Sequence, residues 1–434
     1  MAQPAPEAAR APADTLRLSL DEAVERARSE SFRVRNAEAQ ERSARAQKRQ
    51  SLAVFLPQIT AAEDAATTTD PLNAFGFKLR QETVTQADFA PSALNDPERI
   101  DNFTTRLQVD QPLVNLDGWF ERRAAASAVQ AATEQTKRTR HVVAFRVKKG
   151  YYGLILAQER LSVIMAALTA ARENARQAEA LFDQGIITKA DLLAARVRVL
   201  DLESQRTEAS SKQRTASDRL RFLLGIDEPI RIQATDSLTR ERAAVESVAV
   251  ESVNQRRSDM QALRLRADAA QEQVRAGWMA FVPKLNARGT YAWNDDRLLG
   301  TDAAGYTVGA SLTWNLFQGF KQIGQAQKAE ADLQRAEIAL EQQVLQNQVN
   351  IAEARRTLDA TRQRLQYSRA AVEQAEESLR IRSDRYGEGL ERTSDLLQAE
   401  AAVAERRLAY LQALYQHNVT LYRLELLSEQ RLTL

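Results

Sequence analysis

Tyr306-Thr-Val-Gly-Ala-Ser-Leu-Thr-Trp-Asn-Leu316 decides how the rest of the chain is read. Tyr306, Val308, Ala310, Leu312, Trp314 and Leu316 share one face of an extended strand, and Thr307, Gly309, Ser311, Thr313 and Asn315 share the other. Lys284 to Asn294 alternates in the same way, with Leu285, Ala287, Gly289, Tyr291 and Trp293 on one side. Asp295–Gly305 is turn-like and joins the two. A second pair is expected upstream, at about 58–82 and 102–114, where Phe103, Thr105, Leu107 and Val109 alternate with Asn102, Thr104, Arg106, Gln108 and Asp110.

Around these strands the sequence is helix-forming. Ser19-Leu-Asp-Glu22 reads as a capping box that opens a helix running to Phe55 and stopping at Pro57. A proline-free helix is expected over 118–182. At 1.5 Å per residue, its 65 residues reach about 98 Å. A glycine hairpin at Gly185 turns the chain into a helix over 189–224. The pattern then recurs as a helix over 240–282, strands over 284–294 and 306–316, a long helix over 320–386, a hairpin at Gly389 and a helix over 394–428.

The recurrence is an internal duplication. Phe55-Leu-Pro57 matches Phe281-Val-Pro283, and Phe182-Asp-Gln-Gly185 matches Tyr386-Gly-Glu-Gly389. Residues 1–15 form a Pro/Ala-rich tail, expected to be flexible, 16–225 the first repeat and 226–434 the second. Pro57 and Pro283 lie 226 residues apart, whereas Gly118 and Gly319 lie 201 apart. The first repeat therefore carries about 25 extra residues between its strands, an enlarged loop around Thr67 to Arg99.

Composition limits the functions available. The chain has 434 residues, no cysteine and a net charge of +2 from 60 basic and 58 acidic residues. The absence of cysteine excludes disulfides and thiolate chemistry. The charge balance lacks the basic excess of a nucleic-acid binder. No nucleophile, acid–base pair, metal cluster or phosphate loop stands out, so neither an enzyme nor a cofactor is expected. His141 and His417 read as ordinary helix histidines. No run approaches 18 apolar residues, so no transmembrane helix is expected. Four strands of about ten residues can instead span a bilayer when tilted. Trp293, Trp314, Tyr291, Tyr306 and Phe103 on their apolar faces suit the lipid interface. Four strands cannot close a barrel, and an open edge in lipid leaves backbone groups unsatisfied. Several chains must contribute, and three supply twelve strands. The alternative is a soluble or periplasmic helical rod acting as a structural tether.

In motif order and spacing the chain resembles the outer-membrane efflux protein family, the TolC-like channels. The resembling segments are Leu18-Ser-Leu-Asp-Glu-Ala23, Phe55-Leu-Pro-Gln58, Gln111-Pro-Leu-Val-Asn-Leu-Asp-Gly118, Phe281-Val-Pro-Lys284, Trp314-Asn-Leu-Phe-Gln-Gly319 and the two glycine hairpins. The resemblance implies a mixed α/β membrane protein, a homotrimer whose 12-stranded outer-membrane β-barrel, four strands per protomer, continues into a long α-helical periplasmic barrel. It also implies a periplasmic adaptor, an inner-membrane pump of RND, MFS or ABC type, and a passive efflux or type I secretion duct. The hairpin end would be a gated entrance. Tyr386 stands where the family has its gate tyrosine and Asp395 where it has a pore-lining aspartate ring, with Asp191 as the first-hairpin counterpart. Gln398 replaces a second ring aspartate. Glu391 stands in the place of a gate arginine, with Arg392 one position later.

Overall fold

The structure, a computed structural model, describes residues 15–241, 250–388 and 390–430. The elements run in chain order: β1 (Thr15–Leu18), α1 (Leu20–Glu30), α2 (Phe32–Gln50), β2 (Gln58–Thr68), α3 (Pro71–Arg80), α4 (Pro91–Asn95), β3 (Ile100–Val114), α5 (Leu116–Asp183), α6 (Lys189–Leu224) and β4 (Arg231–Ala234). There follow α7 (Val250–Arg256), α8 (Ser258–Met279), β5 (Lys284–Asp295), β6 (Ala303–Thr313), α9 (Lys321–Gly387) and α10 (Thr393–Ser428). The long helices α5 and α9 have 68 and 67 residues, and each is followed by one of 36. At 1.5 Å per residue, α5 is about 100 Å long.

Several boundaries depart from the sequence reading. The first helix is two, because Ser31 leaves helical geometry at ψ 140° and its hydroxyl accepts the Val34 N–H, restarting the helix. The helix expected over 240–282 is broken at Arg257 and ends at Met279, and 242–249 lie outside the described residues, as do residues 1–14 of the tail expected over 1–15, whose last residue, Thr15, instead starts β1. The strand expected over 58–82 ends at Thr68. Asp70 caps α3, accepting the Asn73 N–H at 2.9 Å, and Pro71 sits at its first position, so Phe75–Leu79 is helical. The strand expected over 306–316 is shifted to Ala303–Thr313, because Ala303 and Ala304 already pair with Asn294 and Trp293.

Contacts divide the chain into two compact units, and each draws on both halves of the sequence repeat. The strand unit comprises Glu41–Ala132 and Leu263–Ala339. Its four strands form one antiparallel sheet in the order β2-β3-β5-β6, which leaves β2 and β6 at the edges. The helical unit comprises Thr133–Ala262 with the flanking segments ending at Gln40 and beginning at Leu340. Its main core packs Ala23, Val24 and Ala27 of α1 against Val147, Tyr151, Leu154 and Ile155 of α5 and Leu220 and Leu224 of α6. By length and composition α5 does contain one window apolar enough to cross a membrane, contrary to expectation. Leu154 and Ile155, in its apolar middle, are buried in this core. A short parallel pair, β1 with β4, closes the core and was not anticipated. The Tyr151 hydroxyl donates to the Leu18 carbonyl at 2.8 Å and accepts the Thr235 N–H at 3.2 Å.

A buried ionic cluster ties three helices of the helical unit. Arg257 is 2% exposed and donates to Asp259 at 2.6 and 2.7 Å, to Asn347 of α9 and to the Leu427 carbonyl of α10. Burial alone would raise the Asp259 carboxyl, but the Arg257 hydrogen bonds and the Arg138 and Arg257 charges hold it below its usual value. Arg257→Met strands these acceptors and is expected to cost about 3–5 kcal/mol, read from thermal unfolding in detergent. Because the Asp259 carboxyl is depressed by folding, its contribution is complete above its unfolded value and is lost as pH falls through the folded one. Asp259→Asn should therefore flatten the acid limb of stability below about pH 4.

Candidate functional sites

The sheet is the first site. Its parity runs in register across all four strands up to a register shift in β3 between Pro112 and Val114: Ile59, Val109, Gly289 and Val308 form one row, and Ala61, Leu107, Tyr291 and Tyr306 the next. On the opposite face, Gln58, Asp110, Arg288 and Gly309 form a row, as do Thr60, Gln108, Thr290 and Thr307. Ion pairs cross strands there, Arg288 to Asp110 at 2.6 Å and Arg106 to Asp64 at 3.1 Å. The apolar face has little cover from its own chain: Ile59 is 68% exposed, Tyr306 78%, Val308 75% and Leu312 70%. A contiguous apolar surface of this kind marks contact with lipid or another chain.

Of the aromatic residues chosen from sequence, four lie toward the end of the sheet where β5 turns into β6, and Trp314 lies at the other end. Tyr291 and Tyr306 are cross-strand partners, and Tyr291 lies 4.6 Å from Trp293 between ring centroids. Phe103 is half-buried opposite Asp295. Trp314 lies one residue past β6, and its indole N–H donates to the Phe281 carbonyl at 3.0 Å. Around it, at the helix-linked ends of the strands, stand exposed Phe55, Trp119, Trp278, Phe317 and Phe320, which the sequence reading had not assigned. Phe55 and Trp278 adjoin the Pro57 and Pro283 stops, and Trp119, Phe317 and Phe320 adjoin Gly118 and Gly319, so their signal was the helix boundary rather than strand alternation.

The helical hairpins are the second site. In the first, Gly185 adopts φ +75°, so the Gly185 and Ile186 N–H groups can donate back to the Phe182 and Leu181 carbonyls. Thr188 and Asp191 form a reciprocal capping box, with the Thr188 hydroxyl donating to Asp191 at 2.6 Å. The Asp191 carboxylate is thus taken up by its own helix start.

The second hairpin is locked differently. Arg392 is the cap residue of α10 and makes no side-chain cap bond. Glu391, 11% exposed, instead receives Arg382 at 2.7 Å and Arg385 at 3.1 Å from the end of α9. Tyr386 lies 3.3 Å from the hydroxyl of buried Thr393. Arg382, Arg385 and Thr393 were missed from sequence, since the pairing across the turn follows no helical spacing rule. Asp395 sits half-buried in the first turn of α10, where the N-terminal dipole favours a carboxylate, and Ser394 approaches it at 3.5 Å. Gln398 and Arg392 are exposed. Gly389 lies outside the described residues. Farther along α10, Glu400 is hydrogen-bonded to Asn174 of α5; burial raises its carboxyl, offset in part by Asn174 and Arg198.

Among the described residues no cluster of three His, Asp or Glu could hold a metal. His141 faces Glu429 at 4.0 Å, and His417 is buried within α10.

The comparisons with known proteins agree on one group. The family described as "Outer membrane efflux protein" matches residues 23–226 and 249–428. The alkaline protease secretion protein AprF of Pseudomonas aeruginosa is 22% identical over 335 residues, covering 74% of this chain and 67% of that protein. The outer membrane protein TolC of Vibrio cholerae is 20% identical, covering 74% and 76%. The crystal structure of a membrane protein from Pseudomonas aeruginosa shares the fold, with a TM-score of 0.81 at 19% identity, over 94% of this chain and 93% of that one.

Glu391→Ala should release Arg382 and Arg385 and raise local opening, seen as faster amide exchange around Thr393, with global stability nearly unchanged. Unaltered exchange would mean that the pair contributes nothing. Asp191→Ala should cost about 1 kcal/mol through the lost cap.

Proposed function

The chain belongs to the outer membrane efflux protein family, and from that premise we propose that it is the exit duct of a tripartite efflux or type I secretion system. The single observation that carries this is the in-register sheet with an uncovered apolar face. Soluble sheets bury such a face. Here lipid covers it, while the face carrying Arg288, Asp110, Arg106 and Gln108 lines water.

The two edge strands, β2 and β6, pair with copies of the chain. Three protomers supply twelve strands and close the barrel, and the helical portion extends into the periplasm. Near-equal helix pairs of 68 and 36 and of 67 and 36 residues support an internal duplication. So do β1 and β4, each placed ahead of the helix that leads to a strand pair.

The duct is passive, not enzymatic, and substrate choice belongs to the inner-membrane pump. Its entrance lies at the helical hairpins, where a periplasmic adaptor docks. Threefold copies of Asp395 ring the pore axis there. Like charges in a narrow pore attract cations, so multivalent cations should block conduction. Tyr386 and the Glu391–Arg382–Arg385 group hold each second hairpin closed. The relative named for alkaline protease secretion supports a protein cargo, and the family description supports efflux.

The purified chain should require detergent and run as a heat-resistant trimer. In planar bilayers it should show small conductance blocked by multivalent cations, with block weakened in Asp395→Ala. A monodisperse rod in plain buffer would sink the duct reading. Unchanged conductance and block in Asp395→Ala would remove that residue from the gate.

A further inference from the structure

We propose that the segment between β2 and β3 folds into the barrel's lumen and narrows its outer mouth, forming a barrier separate from the hairpins. The inference rests on the duct reading, which makes the polar face of the sheet the lumenal one. β2 runs from its helix-linked end at Gln58 to Thr68, and β3 returns from Ile100, so the intervening residues sit at the sheet's far end.

Burial shows which face they cover over the central strands β3 and β5, while Asp64 and Ala66 of β2, of the same parity, stay exposed. Asn102, Thr104, Asn294 and Ala303 all have polar-face parity, and they are 2%, 8%, 7% and 2% exposed. On the same face, nearer the helix-linked end, Arg106, Gln108 and Thr290 are only partly covered and Arg288 is exposed. An ordinary strand connection would leave both ends alike.

The cover is anchored. The Gln81 side-chain amide, 8% exposed, donates to the Asp101 carbonyl at 2.9 Å, to Asn102 Oδ1 at 2.9 Å and towards the Asp295 carbonyl at 3.3 Å. Asn102 passes the network on to Thr104 at 2.9 Å and Asn294 at 3.3 Å. Such a satisfied buried network fixes one arrangement of the segment.

The segment is also folded within itself. Asp70 caps α3, Lys78 pairs with Asp88 at 2.6 Å, and Phe75 meets Phe89 edge-on at 5.5 Å. By contrast, the turn between β5 and β6 reaches the other face, where the Leu299 N–H donates to Glu63 at 3.2 Å. Leu72 and Phe89 stay exposed on a single chain. A threefold arrangement sets copies of the same segment opposite one another around the axis, where these side chains find cover.

The absence of cysteine makes the test clean. Gln108→Cys reports on the lumenal face and Leu107→Cys on the lipid face, each in heat-resistant trimers on intact cells. In the otherwise unaltered chain, a small charged thiol reagent added from outside should label Gln108→Cys, and a polymer-linked maleimide should not. Protection from the polymer should be lost when residues 71–97 are replaced by a short Gly/Ser linker. It should also be lost in Gln81→Leu, which keeps the segment but cuts its anchor. Equal polymer labelling of Gln108→Cys with and without the segment overturns the constriction. Labelling of Leu107→Cys by the small reagent, with Gln108→Cys silent, means the faces are reversed, and then the duct reading itself fails.

Discussion

Backbone hydrogen bonding at the two free edges of the sheet is the constraint on which the rest depends. In hydrocarbon an unpaired N–H or C=O costs several kcal/mol, and water is not there to replace the missing partner. A four-stranded sheet with an exposed apolar face is therefore incomplete as one chain. In the proposed duct, closure by further copies would satisfy the edges of β2 and β6 at once and turn the polar rows into a lumen. The parity of the rows matters because a slip of one residue in any strand would bring Arg288, Arg106 or Asp110 to the lipid side.

The helical unit solves a different problem. Its helices are long and only weakly amphipathic, so packing cannot rest on one broad apolar stripe. Instead it uses a compact core at Tyr151, Leu154, Leu220 and Leu224, and hydrogen-bonded ionic contacts such as Arg257 with Asp259. Buried groups of that kind contribute specificity of arrangement more than net stability.

The two halves diverge at their hairpins and between their strands. The first hairpin is sealed by its Thr188–Asp191 capping box, which needs nothing from elsewhere. The second lacks a side-chain cap, and its closure runs through Glu391 and two arginines of the preceding helix. Electrostatic closure across a turn can be undone by a competing charge, whereas a capping box cannot be so readily. The first strand pair likewise carries the extra segment, and the second has only a short turn.

The sequence by itself determined the strand parity, the long helices, the hairpin at Gly185, the helix starts at Ser19 and Thr188 and the position of the extra 25 residues. These are local signals, namely period-two or helical patterning, capping chemistry and proline stops, and each is complete within a few residues. The sequence also contains the Asp70-Pro71 helix start, a local signal that ends β2 at Thr68 and outweighs the longer strand expected there. The tertiary structure alone decided which face the extra segment covers, because Gln81 meets Asp295 across more than 200 residues. It alone brought Glu391 to Arg382 and Arg385, paired β1 with β4 and buried Arg257 against Asn347. Those contacts join residues with no shared local period. Their energy comes from desolvated hydrogen bonds and charges that exist only once the chain has folded.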